Sequence, residues 1–524
     1  MFSLAILVGS LAYFILLLGT FGWLKIALVK GVSLVWLMVF GVWLWQRRGK
    51  FDSLVRLFFE DKVTKISGLL LLVAIVINLI GALGPEINFD SLWYHLTLPK
   101  VYLMRERVEI FPNRPFYHSA LPRFTEMLFV PALVFGGETG AKSVHFLFGV
   151  LTAGLIINYG RRWLGKKGAI LAALIFYTDL SVLWLSQSAY VDLGRTFFET
   201  LAFFWLLSWW QNQENRGLVR IGVALGIATG TKLFAWGTVG VVSLMVLVLS
   251  KRRRWVDALT VIFSAVILGG VWLILAYKVT GNPIYPLFNP VLVETRQIQW
   301  PSLTQFVPDF MRLSNRPLGW DSAMSPLYLV MLPVSVYVVF KKRTVLVIGL
   351  YCLLTYGVWF LIPRIGGSRF MVPYLPAWAL VSTSFLMLVG KSVKNMKLTM
   401  VGFIFLVAIG NLMIRGYLNL KYLSVILGQQ DKREFLANNV DLSYVFVDVD
   451  GWFERNVTAS DNVLIIGGHS LYYVNFPFIH ESFYQGEPVS AVLTHNVQLP
   501  ERYKVWQMVY DNPTTKVRLF KPSK

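Results

Sequence analysis

ISGLLLLVAIVINLIGALGPEINFDSLWYHLTLPKVYL, residues 66–103, holds the two features that decide the fold. Its first half, 66–84, is one unbroken apolar run, and roughly 20 such residues let a helix cross a hydrocarbon core. Its second half turns polar within a few residues and carries Asp90, Tyr94, His95 and Lys100. A spanning helix therefore delivers a carboxylate to the bilayer surface, where an ionisable group is costly unless it faces water or a partner.

The same apolar pattern recurs outward in both directions. Candidate spans are 4–24, 26–45, 66–84, 139–160, 168–186, 193–210, 219–234, 237–250, 255–277, 321–341, 344–362, 370–390 and 397–415. Over the 524 residues, 56% are hydrophobic and 15% charged, and the mean hydropathy is +0.59. Soluble chains carry about 25% charged residues, so this is a membrane protein. Long runs separated by short basic clusters describe a helical bundle rather than a β-barrel. The 4–24 run lacks a basic leader and a small-residue cleavage site, which reads as a retained helix.

The net charge of +21 is not a nucleic-acid footprint. Residues 416–524 hold 10 basic and 11 acidic side chains, so the whole excess lies before them. Much of it sits between spans, at Arg47, Arg48 and Lys50, at Arg161, Arg162, Lys166 and Lys167, at Lys251–Arg254, at Lys341–Arg343, and at Lys391, Lys394 and Lys397. Cationic connections of this kind stay in the cytoplasm. They place the amino terminus inside and the carboxy terminus outside, provided that 120–137, with Pro122, Arg123, Glu126 and Pro131, does not cross. The sequence thus predicts an all-α polytopic membrane bundle of about thirteen transmembrane helices over 1–415, with an outer loop and juxtamembrane helices at 85–137. A small C-terminal α/β domain outside the membrane follows over 416–524. In it, 432–439 reads as a helix, and 461–468, 503–510 and 514–520 read as strands. No internal repeat stands out.

Four places carry groups that can do chemistry. Asp90 can take a proton from an acceptor hydroxyl or amine, or hold a divalent cation, and Tyr94, His95 and Lys100 offer donors to a sugar or phosphate. The alternative for 88–103 is a solvated loop with an amphipathic helix on the lipid surface. Asp192 and Arg195, with Glu199 two turns on, sit at the start of a span; they are functional groups, or a helix cap and a snorkelling cation. Lys232, in GTKLFAWG, can hold a lipid phosphate or simply snorkel. Arg364 and Arg369, flanking Gly366 and Gly367, can make forked contacts to phosphate oxygens or anchor the interface.

The six histidines show no metal-site spacing, and the lone Cys352 permits neither a disulfide nor a thiolate cluster. Asn456-Val457-Thr458 is a glycosylation sequon, meaningful only in a eukaryotic secretory setting.

Together, FDSLWYHLTLPK around Asp90, the 121–137 stretch, YVDLG around Asp192, GTK at Lys232, SRFMVPYLP at Arg369 and the 461–478 tail resemble the class C glycosyltransferases. The likeness is strongest to bacterial mannosyltransferase-like and aminoarabinose-transferase-like enzymes, and it spans roughly 66–480. Ser91 follows Asp90 where protein mannosyltransferases carry Asp-Glu, which counts against protein O-mannosylation, and Pro373 falls one residue late. The resemblance implies a multi-pass enzyme of the bacterial inner membrane. Its donor would be a polyprenyl-phosphate sugar and its acceptor an envelope lipid, glycan or protein, with inversion at the anomeric carbon. Asp90 would be the base, Asp192 would orient groups around it, and Lys232, Arg369 and Arg364 would hold the donor phosphate. Tyr94, His95 and Lys100 would bind substrate; no cofactor is certain, and dependence on a divalent cation stays open. The rival class is a lipid-linked sugar transporter or flippase, which usually shows repeated halves around a central site.

Overall fold

The computed structural model describes residues 1–251, 253–289, 301–315, 324–361, 364–388 and 393–523, with backbone alone at 50–55, 314–315 and 364–366. Parts of the expected spans 321–341, 344–362 and 370–390 lie outside the described residues. Among those described, eight helices are long and apolar enough to cross a membrane, and two shorter apolar helices accompany them. Large apolar side chains point outward from several of them, among them Trp255, Phe263, Leu398 and Met413. A soluble surface rarely tolerates such a belt, whereas lipid favours it. The chain is a multi-pass membrane protein.

Two hairpins open the bundle, and one helix defines its polarity. Helices α1 (Phe2–Thr20) and α2 (Ile26–Arg56) precede α3 (Lys62–Leu83). Helix α3 starts on a reciprocal cap, in which Asp61 accepts from the Val63 and Thr64 amides while the Thr64 hydroxyl accepts from the Asp61 amide. At that end Lys166 pairs with Glu60 at 2.6 Å and Lys167 with Asp61 at 3.3 Å, which gathers two basic connections on one side of the bundle. The 22 residues of α3 then carry the chain to Gly84 at the opposite side.

There the last carbonyls of α3, which a helix leaves without amide partners, are taken by a lysine. The buried Lys142 ammonium donates to Gly81 O at 2.8 Å, Gly84 O at 2.7 Å and Pro85 O at 3.3 Å. After a short turn at Ser91–His95 comes α4 (Thr97–Met104).

Helix α5 (Phe124–Tyr177) is broken at Gly137 and Gly165. Gly137 adopts φ 55°, ψ −144°, a conformation that side-chain-bearing residues avoid. The piece before it, 124–136, is about 20 Å long at 1.5 Å per residue, too short for a ~30 Å core. Helices α6 (Leu180–Leu185), α7 (Asp192–Asn212), α8 (Asn215–Thr231), α9 (Ala235–Leu249) and α10 (Arg254–Thr280) follow.

The expected continuous span at 370–390 is not one α-helix. It is a 3-10 stretch at Arg364–Tyr374, an α-helix at Leu375–Ser382 and a second 3-10 turn at Ser384–Met387. Pro373 and Pro376 each withhold a backbone donor, so regular α-helical bonding cannot run through them. The helix Lys394–Asn419 closes the bundle and overruns its expected end by one turn.

The C-terminal unit contains the helix Lys432–Asn439, as expected, and a five-stranded sheet. Strands β1 (Val463–Gly467), β2 (Phe478–His480), β3 (Ala491–His495), β4 (Gln507–Asn512) and β5 (Val517–Lys521) lie in the order β2-β1-β3-β5-β4. The pairs β1–β2 and β1–β3 are parallel, while β3–β5 and β5–β4 are antiparallel. Both β2 and β3 escape the sequence reading.

Candidate active site

Four elements converge where α3 ends. Asp90 stands at the head of the Ser91–His95 turn, Asp192 opens α7, Lys232 closes α8, and Arg369 lies in the 3-10 stretch. Gly367, two residues before Arg369, takes φ 52°, a left-handed kink that suits glycine and turns the stretch inward.

The four side chains form one alternating line of charge. Arg369 reaches Asp90 Oδ2 with Nη1 at 2.6 Å and Asp192 Oδ2 with Nε at 2.9 Å. Lys232 donates to the other oxygen of Asp192, Oδ1, at 2.6 Å. Asp192 is 1% exposed, whereas Asp90, Lys232 and Arg369 keep 22%, 16% and 12% of their side-chain surface. Two anions and two cations cancel, which removes most of the cost of taking four charges out of water. Arg369 also lies over the Tyr190 ring at 4.2 Å, and Lys232 over the Phe370 ring at 4.5 Å.

Of the two carboxylates, only Asp90 has room for a new partner. Asp192 spends one oxygen on each cation, whereas Asp90 engages Oδ2 alone among the described residues. Burial pushes the Asp90 carboxyl up, but the positive groups around it, Arg369 first among them, together hold it below its usual value.

An aromatic wall rises beside Asp90. Tyr94 stacks on His118 with centroids 4.1 Å apart, Tyr117 covers the same ring at 4.0 Å, and Trp93 meets it edge-on at 4.5 Å. Burial pushes His118 down to about 3, so it is neutral at physiological pH. The C-terminal unit adds His469, which packs on Trp93 at 4.8 Å and on Phe89 at 5.4 Å.

The candidates named from sequence separate into three groups. Asp90, Asp192, Lys232 and Arg369 meet directly, and Tyr94 lines the wall. His95 is buried beneath it, with Nδ1 2.7 Å from Glu126 Oε1. Lys100, expected to bind substrate, engages the tail. Its ammonium donates to Tyr472 O at 2.7 Å and also to Val474 O. The Arg364 side chain lies outside the described residues.

Arg195 and Glu199 form a second, separate network. Arg195 Nε pairs with Glu199 Oε1 at 2.6 Å and Nη2 donates to the Tyr374 hydroxyl at 2.8 Å, while Thr238 donates to Glu199 Oε2 at 2.9 Å. This ties α7 and α9 to the stretch that carries Arg369. Tyr190, His118, His469 and Glu86 escape the sequence reading. Tyr190 alone carried a signal, standing two residues before Asp192. Among the described residues no group of three or more His, Cys, Asp or Glu is arranged to hold a metal ion.

Residues 113–277 match the family model described as dolichyl-phosphate-mannose-protein mannosyltransferase. That segment includes Asp192 and Lys232 but neither Asp90 nor Arg369. No curated protein sequence matches the chain. In structure the chain is similar to ArnT from Cupriavidus metallidurans bound to undecaprenyl phosphate, with a TM-score of 0.59 at 13% identity over 86% of this chain and 97% of that one. The apo state of the same protein gives 0.55 at 14% identity, over 88% and 98%. The oligosaccharyltransferase of Archaeoglobus fulgidus, in its apo form, gives 0.46 at 13%, over 77% and 63%. The resemblance to class C membrane glycosyltransferases holds, resting on the family match and on an ArnT-like fold.

Proposed function

We propose that this protein transfers a sugar from a polyprenyl-phosphate carrier to an envelope acceptor at the outer face of a bacterial inner membrane. The observation that carries the reading is the pair of cations, Lys232 and Arg369, held on the two oxygens of the buried Asp192, with Asp90 sharing Arg369. Two fixed cations at a bilayer edge suit a lipid-linked phosphate, and the ArnT structure with undecaprenyl phosphate supports a carrier of that class.

The chemistry follows from the charges. The donor phosphate binds Lys232 and Arg369, whose guanidinium has five N–H donors and so can serve a phosphate as well as the carboxylates. Drawing the guanidinium toward phosphate weakens its hold on Asp90 and restores that carboxylate's basicity, so the base is released when the donor is present. Asp90 then takes the proton of the acceptor O–H or N–H. The acceptor atom attacks the anomeric carbon from the side opposite the phosphate, the carbon–oxygen bond to phosphate breaks, and the leaving oxygen keeps the electron pair. One displacement inverts that carbon. Lys232 and Arg369 stabilise the charge that grows on the departing phosphate. Asp192 takes no proton; it fixes both cations.

Residues 416–524 then lie outside the membrane and the amino terminus inside. A transporter reading finds less support, since the unusual charges gather at one end of the bundle beside a folded unit. The direct test supplies purified protein in nanodiscs with polyprenyl-phosphate sugars, and compares lipid-linked sugars and envelope glycans by mass spectrometry with and without the gene. Consumption of the carrier sugar supports the reading; movement of intact carrier without cleavage overturns it.

A further inference from the structure

Glu86 is the least expected charge near the site. It follows α3 by three residues, is fully buried, and is not one of the four converging side chains. Its two oxygens serve two different segments. Oε1 accepts from the Ile87 amide at 2.9 Å, the Asn88 amide at 2.9 Å and Asn88 Nδ2 at 2.6 Å, all within the loop that leads to Asp90. Oε2 accepts from the Ala189 amide at 2.6 Å, one residue before Tyr190 and three before Asp192.

Secondary contacts brace this arrangement. Asn88 Oδ1 accepts from Trp184 Nε1 at 2.9 Å, and the Glu86 carbonyl accepts from the Tyr473 hydroxyl at 2.7 Å. Four N–H donors converge on this carboxylate, three on Oε1 and one on Oε2. The end of α3 also approaches the 186–192 loop closely: a Cβ placed on Gly81 would stand 1.9 Å from Gln187 Oε1. A buried carboxylate that accepts amides from two segments is a staple between them.

We infer that Glu86 is a positioning residue that sets the separation of Asp90 from Asp192, and through it the grip of both on Arg369. The inference rests on the reading of Asp90 as the base. Glu86 touches neither substrate nor phosphate; it acts by holding the 86–90 loop against the 186–192 loop. Slack between those loops displaces the base from the acceptor proton while leaving Lys232, Asp192 and Arg369 with each other.

Glu86→Gln tests this selectively. The amide keeps its oxygen toward the three donors of its own loop and turns its NH₂ toward the single Ala189 amide, so the cross-loop bond alone is lost. Misplacement of a reacting group by about 1 Å can cost 10²-fold. The expected result is a kcat roughly 10–100-fold lower with the donor KM within about twofold of wild type. In an Asp90→Asn background, Glu86→Gln should add no further loss, because the base it positions is already gone. A multiplicative loss in the double variant overturns the inference, as does a defect confined to donor KM.

A second readout needs no sugar transfer and so separates this inference from the reaction assigned above. Hydrogen exchange of the 187–192 amides should quicken in Glu86→Gln while the bundle amides keep their protection. Unchanged exchange there overturns the staple whatever reaction the protein performs. If Glu86→Gln does not accumulate, Asn88→Ala removes one donor and the Trp184 contact, and must show the same pattern more weakly; a wild-type pattern in that variant overturns the inference too.

Discussion

Arg369 lies 2.6 Å from Asp90 across 279 residues of sequence, and the same guanidinium lies 2.9 Å from Asp192. One cation thus couples the partly buried carboxylate of the first loop to the buried carboxylate of α7. In the proposed reaction the resting base and the phosphate ligand form one ion pair, and the consequences can be measured.

Removing a phosphate-binding cation differs from removing the base. Lys232→Met and Arg369→Met should each weaken polyprenyl-phosphate binding, since a charged hydrogen bond contributes about 1.5–3 kcal/mol, or roughly 10–150-fold in affinity. Arg369→Met has a second effect: it leaves Asp90 without its counter-ion and raises that carboxyl. Calorimetric titration of detergent-solubilised protein with the phosphorylated carrier reads the first effect. Unaltered affinity in both variants removes these residues from the phosphate site.

The ion pair also sets a pH signature. With Arg369 and its positive neighbours together outweighing burial, Asp90 stays ionised below the usual carboxylate range in the free protein. A depressed value means that the base is present above it and lost only as pH falls through it. The acid limb of kcat/KM, which reports the free protein, should therefore lie below about pH 4, while the limb of kcat, which reports the donor complex, should move upward. His118, pushed down to about 3 by burial, adds no inflection between pH 6 and 7. A single limb near 6.5 in both profiles contradicts this assignment.

Lys100 should matter to the tail rather than to the reaction. Lys100→Met deprives the Tyr472 and Val474 carbonyls of their donor, which costs about 1–3 kcal/mol for each group left buried and unpaired. Limited proteolysis should cleave 416–524 faster while turnover per intact molecule is retained. Loss of turnover with an undisturbed tail would return Lys100 to the substrate site.

The positive connections and the α3 polarity make a topological prediction. Reporters fused after Lys50, Lys166 or Arg254 should be cytoplasmic, and one after Lys524 should be outside. A cytoplasmic carboxy terminus reverses the face on which the reaction is placed.

Much of this was legible in the sequence, for a definable reason. Spans announce themselves by composition, so α1, α3, α7 and α10 fall close to their expected places. Asp90, Asp192, Lys232 and Arg369 stood out because charge at the end of an apolar run is expensive. Their mutual pairing was not legible, because periodicity carries no information about partners far apart in the chain. The tail contacts of Lys100 were hidden for the same reason, as its acceptors lie more than 370 residues away. Glu86 was hidden by its neighbourhood: a carboxylate in a short polar loop reads as solvated, and only the fold brings the Ala189 amide to it. Strand β3 is five buried residues with no alternation, and β2 only three, too little for a period to show.

The central claim is that Asp90 is the base of a polyprenyl-phosphate-dependent transfer, and one paired measurement tests it most directly. Asp90→Asn nearly preserves shape and removes the proton acceptor. Carrier-phosphate affinity and transfer rate should be measured on the same preparation. The account predicts affinity at or above that of wild type, since Arg369 loses a competitor, and a turnover reduced by roughly 10²–10⁴-fold, the usual contribution of general base catalysis. Wild-type turnover in Asp90→Asn, or an affinity loss that accounts for the whole rate defect, contradicts it.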